Sequence, residues 1–225
     1  MYTIGLVIFP GSNCDGETYD FLCSYKGLKI NKIWHKDTNI QRHDMYVLPG
    51  GFSHGDYLRP GKLATFSPAL VDIKAHVASS QSKILGICNG FQILIEAGLL
   101  PGSLLPNQSL QFICDVVPVK VVQSESPFTA RYQRGDLLRL PIAHGSGNYY
   151  CDEITHEELE SNGQIEFSFP PENNPNGSVA GITGLLNEQR NVLGMMPHPE
   201  RAVKQWLGST DGLGLFQSML EHHTA

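Results

Sequence analysis

The sequence predicts an α/β fold: an open, mostly parallel sheet flanked by helices, followed by a mixed or antiparallel second half. Three observations predict it. Up to Leu100, apolar runs of strand length alternate with segments whose apolar residues recur at helical spacing. Those runs are nearly continuous, as in strands buried on both faces of a parallel sheet. After Pro101, strand-like runs follow one another with few helical patterns between them. The chain has 225 residues, 41% hydrophobic and 17% charged. That is enough for one sizeable core burying roughly 70–75% of the unfolded surface, so residues 1–225 read as a single domain.

The elements follow in order. Residues 3–9 form an apolar run ended by Pro10-Gly11. Residues 17–25 place Thr18, Phe21, Leu22 and Tyr25 on one helical face, with Gly27 to end it. Residues 29–35 and 45–48 read as strands, the second running into Pro49-Gly50-Gly51. A helix over 68–79 carries Leu70, Ile73, Lys74 and Val77 on one face, and a strand over 83–87 leads into a helix over 89–100 stopped by Pro101-Gly102. The second half offers strands over 112–122, 137–142, 165–169 and 192–196, a polar loop over 170–177, and a closing helix over 211–222 with Leu215, Phe216, Met219 and Leu220 on one face.

Charge and cysteine usage exclude several functions. With 16 Lys+Arg against 22 Asp+Glu the net charge is -6, and no basic run could neutralise a phosphate backbone, so no nucleic-acid partner is expected. The apolar runs are too short to span a membrane, and Met1-Tyr2-Thr3 does not open a signal peptide, so a cytoplasmic protein is expected. Five cysteines, Cys14, Cys23, Cys88, Cys114 and Cys151, follow no disulfide or zinc spacing and read as reduced thiols. His54, His144 and the pair His222-His223 show no metal-ligand spacing either, and no catalytic metal is expected.

Gly86-Ile87-Cys88-Asn89-Gly90 sits where a strand turns into a helix and has the form of a nucleophile elbow with sulfur in place of oxygen. Small residues two positions either side permit the sharp turn, and a helix N-terminus favours a thiolate. The same five residues also suit a buried structural cysteine. A cysteine nucleophile wants a base, and Pro197-His198-Pro199-Glu200-Arg201 offers one. Pro199 disfavours a helical His198, so the segment reads as extended, with His198 and Glu200 on one side and the carboxylate fixing the imidazole's tautomer. Alone, His198 could equally be a loop residue, with Glu200 paired to Arg201 or solvent. Gly50-Gly51-Phe52 follows a strand, and N–H groups of Gly51 and Asn89 are candidates for an oxyanion hole. Gly50, Phe52 and Gln92 are candidate substrate contacts, Gln92 lying four residues after Cys88 on the same helix face; the double glycine also suits a plain tight turn, and Gln92 an ordinary surface glutamine.

The order and spacing of Gly-Ile-Cys-Asn-Gly-Phe-Gln, Pro-Gly-Gly and His-Pro-Glu resemble the class I, triad-type glutamine amidotransferases, a flavodoxin-like family. Within it, the branch that serves purine synthesis is similar over the stretches 9–15, 49–59, 88–94, 143–145 and 194–202, which span nearly the whole chain. The resemblance implies that Cys88 attacks the side-chain amide of glutamine, His198 protonates the departing ammonia, Glu200 completes the triad, and water releases glutamate from a thioester. It implies no cofactor in this chain, and a larger synthetase subunit that binds ATP, magnesium and formylglycinamide ribonucleotide, joined by a small third subunit. The chain's nearest approach to a phosphate loop, residues 55–63, has one residue too many before Gly61-Lys62 and lacks the Ser or Thr that would hold magnesium. Two positions depart from the pattern: His54 stands where the family has Tyr, and Ser146 where Glu is more frequent. A cysteine hydrolase, an amidotransferase serving another synthetase, a non-catalytic regulatory subunit and a redox-sensing Cys88 are the alternatives on the same scaffold.

Overall fold

Apolar runs with no room for water on either face become the strands of a parallel sheet, and they position everything that follows. In the computed structural model, which describes residues 1–79 and 82–221, the chain divides into two units: Met1–Leu100 with Asn191–Gly194, and Pro101–Arg190 with the segment from Met195 onward.

The first unit holds β1 (Tyr2–Ile8), α1 (Asp15–Cys23), β2 (Leu28–Trp34), β3 (Met45–Leu48), α2 (Pro68–Ala78), β4 (Lys83–Ile87) and α3 (Asn89–Glu96). Its strands lie in the order β2-β1-β3-β4, every pairing parallel. The returning segment lies beside β4, where the Ile84 N–H donates to Asn191 O at 2.9 Å. Leu6, Val7, Met45 to Leu48 and Ile84 to Ile87 are buried, which is why these strands read as unbroken apolar runs.

Helix boundaries differ from expectation in instructive ways. α1 starts two residues earlier than the apolar spacing suggested, with Asp15 and Glu17 in its first turn, where negative charge is favoured. In α2, Leu70, Ile73 and Val77 are buried as expected, but Lys74 is exposed and its Nζ donates to the Ala97 carbonyl at 2.7 Å. α3 ends at Glu96 rather than Leu100, because Gly98 takes φ 71° and the Leu99 N–H reaches back to Leu94 O at 2.9 Å, closing a Schellman-type cap.

The second unit holds β5 (Ser103–Leu105), β6 (Ile113–Val121), β7 (Leu137–His144), β8 (Asn148–Tyr150), α4 (Glu153–Ser161), β9 (Ile165–Ser168), β10 (Ile182–Leu186) and α5 (Leu213–Glu221); β11 (Val192–Met195) begins in the first unit and ends in the second. Strands β10-β9-β6-β7 are antiparallel throughout, and β5 pairs with β8 as a separate antiparallel ribbon. This is the antiparallel second half that the sequence predicts, with β5, β8, α4 and β10 added. On α5, Leu215, Phe216 and Met219 are buried. None of the five cysteines forms a disulfide. No helix among the described residues is long and apolar enough to cross a membrane.

Candidate active site

Cys88 stands between β4 and α3 with φ 50° and ψ −103°, a conformation that non-glycine residues rarely adopt. Holding it costs on the order of 1–3 kcal/mol, a strain that persists only where the surroundings enforce it. The enforcement is visible in the flanking glycines. A Cβ on Gly90 would lie 2.1 Å from Leu48 O, and one on Gly86 would lie 2.7 Å from the Gly90 backbone. The helix therefore sits backbone to backbone on β3, and the turn before it has no option but to be sharp. Cys88 is 5% exposed.

The loop after β3 completes this part of the site. Gly51 has φ 133°, and a Cβ there would lie within 2.6–2.7 Å of the Gly11–Asn13 backbone. The Phe52 N–H donates to Gly11 O at 2.8 Å and the His54 N–H to Pro10 O, at 2.6 Å. Asn89 ties the loop to α3: its Oδ1 accepts from the Ser53 N–H at 3.0 Å, and its Nδ2 donates to Gln92 Oε1 at 2.8 Å and to Asp56 Oδ1 at 3.3 Å. Gln92 is thus buried in this network, while the Phe52 side chain is partly exposed. The backbone N–H of Asn89, first residue of α3, is one that no helical carbonyl can satisfy. His54, Asp56 and Leu58 all have positive φ. Burial pushes the Asp56 carboxyl up to about 6.

His198 and Glu200 lie in the second unit, and the structure joins them directly: Nδ1 of His198 is 2.7 Å from Oε1 of Glu200, both side chains being buried. A carboxylate can only accept, so Nδ1 carries the hydrogen and Nε2 of the neutral ring carries the lone pair. The route to this contact differs from the extended segment expected. His198 is non-helical (φ −101°, ψ 88°), but Pro199–Arg201 is a single 3-10 turn, closed by the Arg201 N–H on His198 O at 3.2 Å. Proline's fixed φ suits the first position of such a turn. The His198 N–H donates to Pro141 O on β7 at 2.8 Å, which anchors the segment.

His144, a buried residue at the end of β7, lies in the stretch 143–145 that carries part of the resemblance, but the sequence pattern gave it no chemical role. The signal available was its place at a strand's end before Gly145-Ser146-Gly147. His222 and His223 lie outside the described residues. No group of three or more His, Cys, Asp or Glu among the described residues could hold a metal ion.

Residues 3–212 match the family model of the CobB/CobQ-like glutamine amidotransferase domain. The chain belongs to that glutamine amidotransferase family. Among solved structures, the amidotransferase is similar to a chain of the PurLQS structure from Thermotoga maritima, 41% identical over 98% of both chains with a TM-score of 0.88. It shares only its fold with another glutamine amidotransferase from Thermotoga maritima (16% identity, 98% and 97% of the two chains, TM-score 0.59). The same holds for the glutaminase domain of Trypanosoma brucei CTPS with bound acivicin (14% identity, 98% and 94%, TM-score 0.61). The amidotransferase is an enzyme, and its parallel sheet with flanking helices is the architecture the sequence predicted.

Proposed function

We propose that this amidotransferase is the glutaminase subunit of phosphoribosylformylglycinamidine synthase, releasing ammonia from glutamine for a synthetase subunit in purine synthesis. The observation that carries the reading is the 41% identity with the PurLQS chain over 98% of both chains. The family match over residues 3–212 supports treating 1–225 as one amidotransferase domain.

Cys88, His198 and Glu200 are the catalytic triad in this reading. The Cys88 proton passes to Nε2 of His198, and the sulfur pair forms a C–S bond to the amide carbon of glutamine while the carbonyl pair moves to oxygen. The N–H groups of Gly51 and Asn89 are assigned to that oxyanion, with Gly50, Phe52 and Gln92 shaping the substrate site. When the pair returns, the C–N bond breaks, nitrogen takes the proton from His198 and ammonia leaves a thioester. Water then gives a proton to His198 and a hydroxyl to the acyl carbon; the C–S bond breaks and sulfur recovers the proton. Glu200 supports the imidazolium formed at each stage. The chain itself needs no cofactor for this chemistry. ATP and magnesium act on the larger synthetase chain, while a small third chain completes the assembly, and the setting is cytoplasmic.

The test is peptide mapping after exposure to a glutamine-mimicking alkylator, with and without the synthetase subunit. A single adduct on Cys88, prevented by free glutamine, is expected; Cys88→Ala should abolish both the adduct and ammonia release. Parental ammonia release from Cys88→Ala would remove the nucleophile from the mechanism.

A further inference from the structure

His144 is 2% exposed, and its Nδ1 lies 3.0 Å from Oδ1 of Asn107. The orientation of the Asn107 amide is fixed by its other bonds. Its Nδ2 donates to the carbonyls of Gln111 (2.9 Å) and His144 (2.8 Å), and its Oδ1 accepts from the Gly147 N–H at 3.0 Å. Nδ1 of His144 must therefore be the donor, which makes Nε2 of the neutral ring a lone-pair acceptor. That Nε2 is buried and has no hydrogen-bond partner among the described residues. The Nδ1–Asn107 bond sets the ring's orientation, and the Gly147 backbone packs flush on it: a Cβ there would lie 2.4–2.7 Å from three ring atoms. Burial, and next the charge of nearby His198, push the imidazole down to about 4, so it stays neutral at working pH.

A buried acceptor left without a donor costs on the order of 1–3 kcal/mol, so such a group calls for a partner. The ligand must donate, and must do so beside His198. Resting on the glutaminase reading above, we propose that Nε2 of His144 accepts a hydrogen bond from the amide nitrogen of glutamine and holds that nitrogen as it departs. Nitrogen leaving the tetrahedral intermediate must take a proton from His198 along its lone pair; an N–H held by a fixed acceptor turns the lone pair the required way. The bond strengthens as the nitrogen gains a proton and becomes a better donor, so it favours the transition state over bound glutamine. His144 is then a catalytic residue for the C–N cleavage step, and the Asn107–Gly147 clamp is what positions it.

The test compares His144→Asn with His144→Gln, in the chain alone and with its synthetase subunit. Asparagine can place an amide N–H where Nδ1 was and leaves nothing at Nε2; glutamine can place an amide oxygen where Nε2 was and forfeits the Nδ1 donor. Each variant is assayed on glutamine and on glutamate γ-methyl ester, whose leaving oxygen carries no N–H. The amide-to-ester ratio of kcat is taken within one preparation, so partial unfolding cancels. His144→Asn should lower the ratio about ten- to a hundredfold, with KM for glutamine little changed, and His144→Gln should recover part of it. An unchanged ratio in His144→Asn, or a smaller loss in Asn than in Gln, overturns the proposal in favour of a purely structural histidine. A parent chain that releases no ammonia from glutamine in either setting, and takes no alkylator on Cys88, overturns the glutaminase reading itself.

Discussion

Glu166, the second residue of β9, is a carboxyl with 0% exposure. The hydroxyls of Ser126 and Thr129 both donate to its Oε1, and its Oε2 is buried with no hydrogen-bond partner among the described residues. Burial outweighs the two hydroxyls and nearby Arg190, and raises the group from 4.5 to about 7. A carboxyl whose folded value is raised favours folding in its protonated form. Its contribution is complete below pH 4.5 and is lost as the pH climbs through about 7. At roughly 1.4 kcal/mol per pH unit, the lost contribution is about 3 kcal/mol. Glu166→Gln copies the protonated shape, keeps an acceptor for Ser126 and Thr129, and never ionises. The variant should match the parent in urea unfolding, followed by circular dichroism, near about pH 4.5, and exceed it by about 3 kcal/mol near about pH 8.5. Comparing the two proteins at each pH cancels every other titrating group. A gap that stays constant across the range, or a parent that is the more stable at high pH, would refute the reasoning.

Three further outcomes are expected. Gly90→Ala drives a methyl group into the Leu48 carbonyl, and should cost about 1–3 kcal/mol of unfolding free energy, read from the urea midpoint; wild-type stability would mean that α3 can slide. Glu200→Gln removes the charge that supports the imidazolium, and should lower kcat for ammonia release about a hundredfold or more, while the thermal midpoint and circular dichroism report the fold; undiminished turnover would make Glu200 a structural residue. Asn89→Ala cuts the Ser53 and Asp56 ties, so limited proteolysis should nick the 52–58 loop several-fold faster than in the parent, and an unaltered cleavage rate would show that the loop holds its shape by its own backbone bonds.

The first unit was legible because its signals are local. Strands β1, β3 and β4 are buried on both faces, so apolar runs mark them to within a residue, and the glycines that flank Cys88 mark the strained turn there. α4 left no such signal: Leu159 is its one buried residue, so it has no apolar stripe, and what announces it is the Asp152 side chain accepting from the Thr155 N–H at 2.8 Å. β10 is buried throughout, but Gly184 interrupts its apolar run. The same distinction runs through the site. His198 and Glu200 are two positions apart and could be paired by eye, although the turn between them could not. The clamp on His144 joins Asn107 to a strand 37 positions away. Nothing at either position by itself suggests that the two meet.

The contact between Gly90 and the Leu48 carbonyl also bears on how such a catalyst can diversify. With no side chain on Gly90 to part the helix from the strand, and Asn89 to Ile95 buried, the ground under Cys88 offers evolution almost nothing to vary: each exchange is paid in folding before it can be judged on activity. Novelty has to enter from the rim, where Phe52, Tyr57 and Leu58 reach solvent. A library randomised at those three positions would sample altered catalysts, whereas one randomised along α3 would sample mostly chains that do not fold.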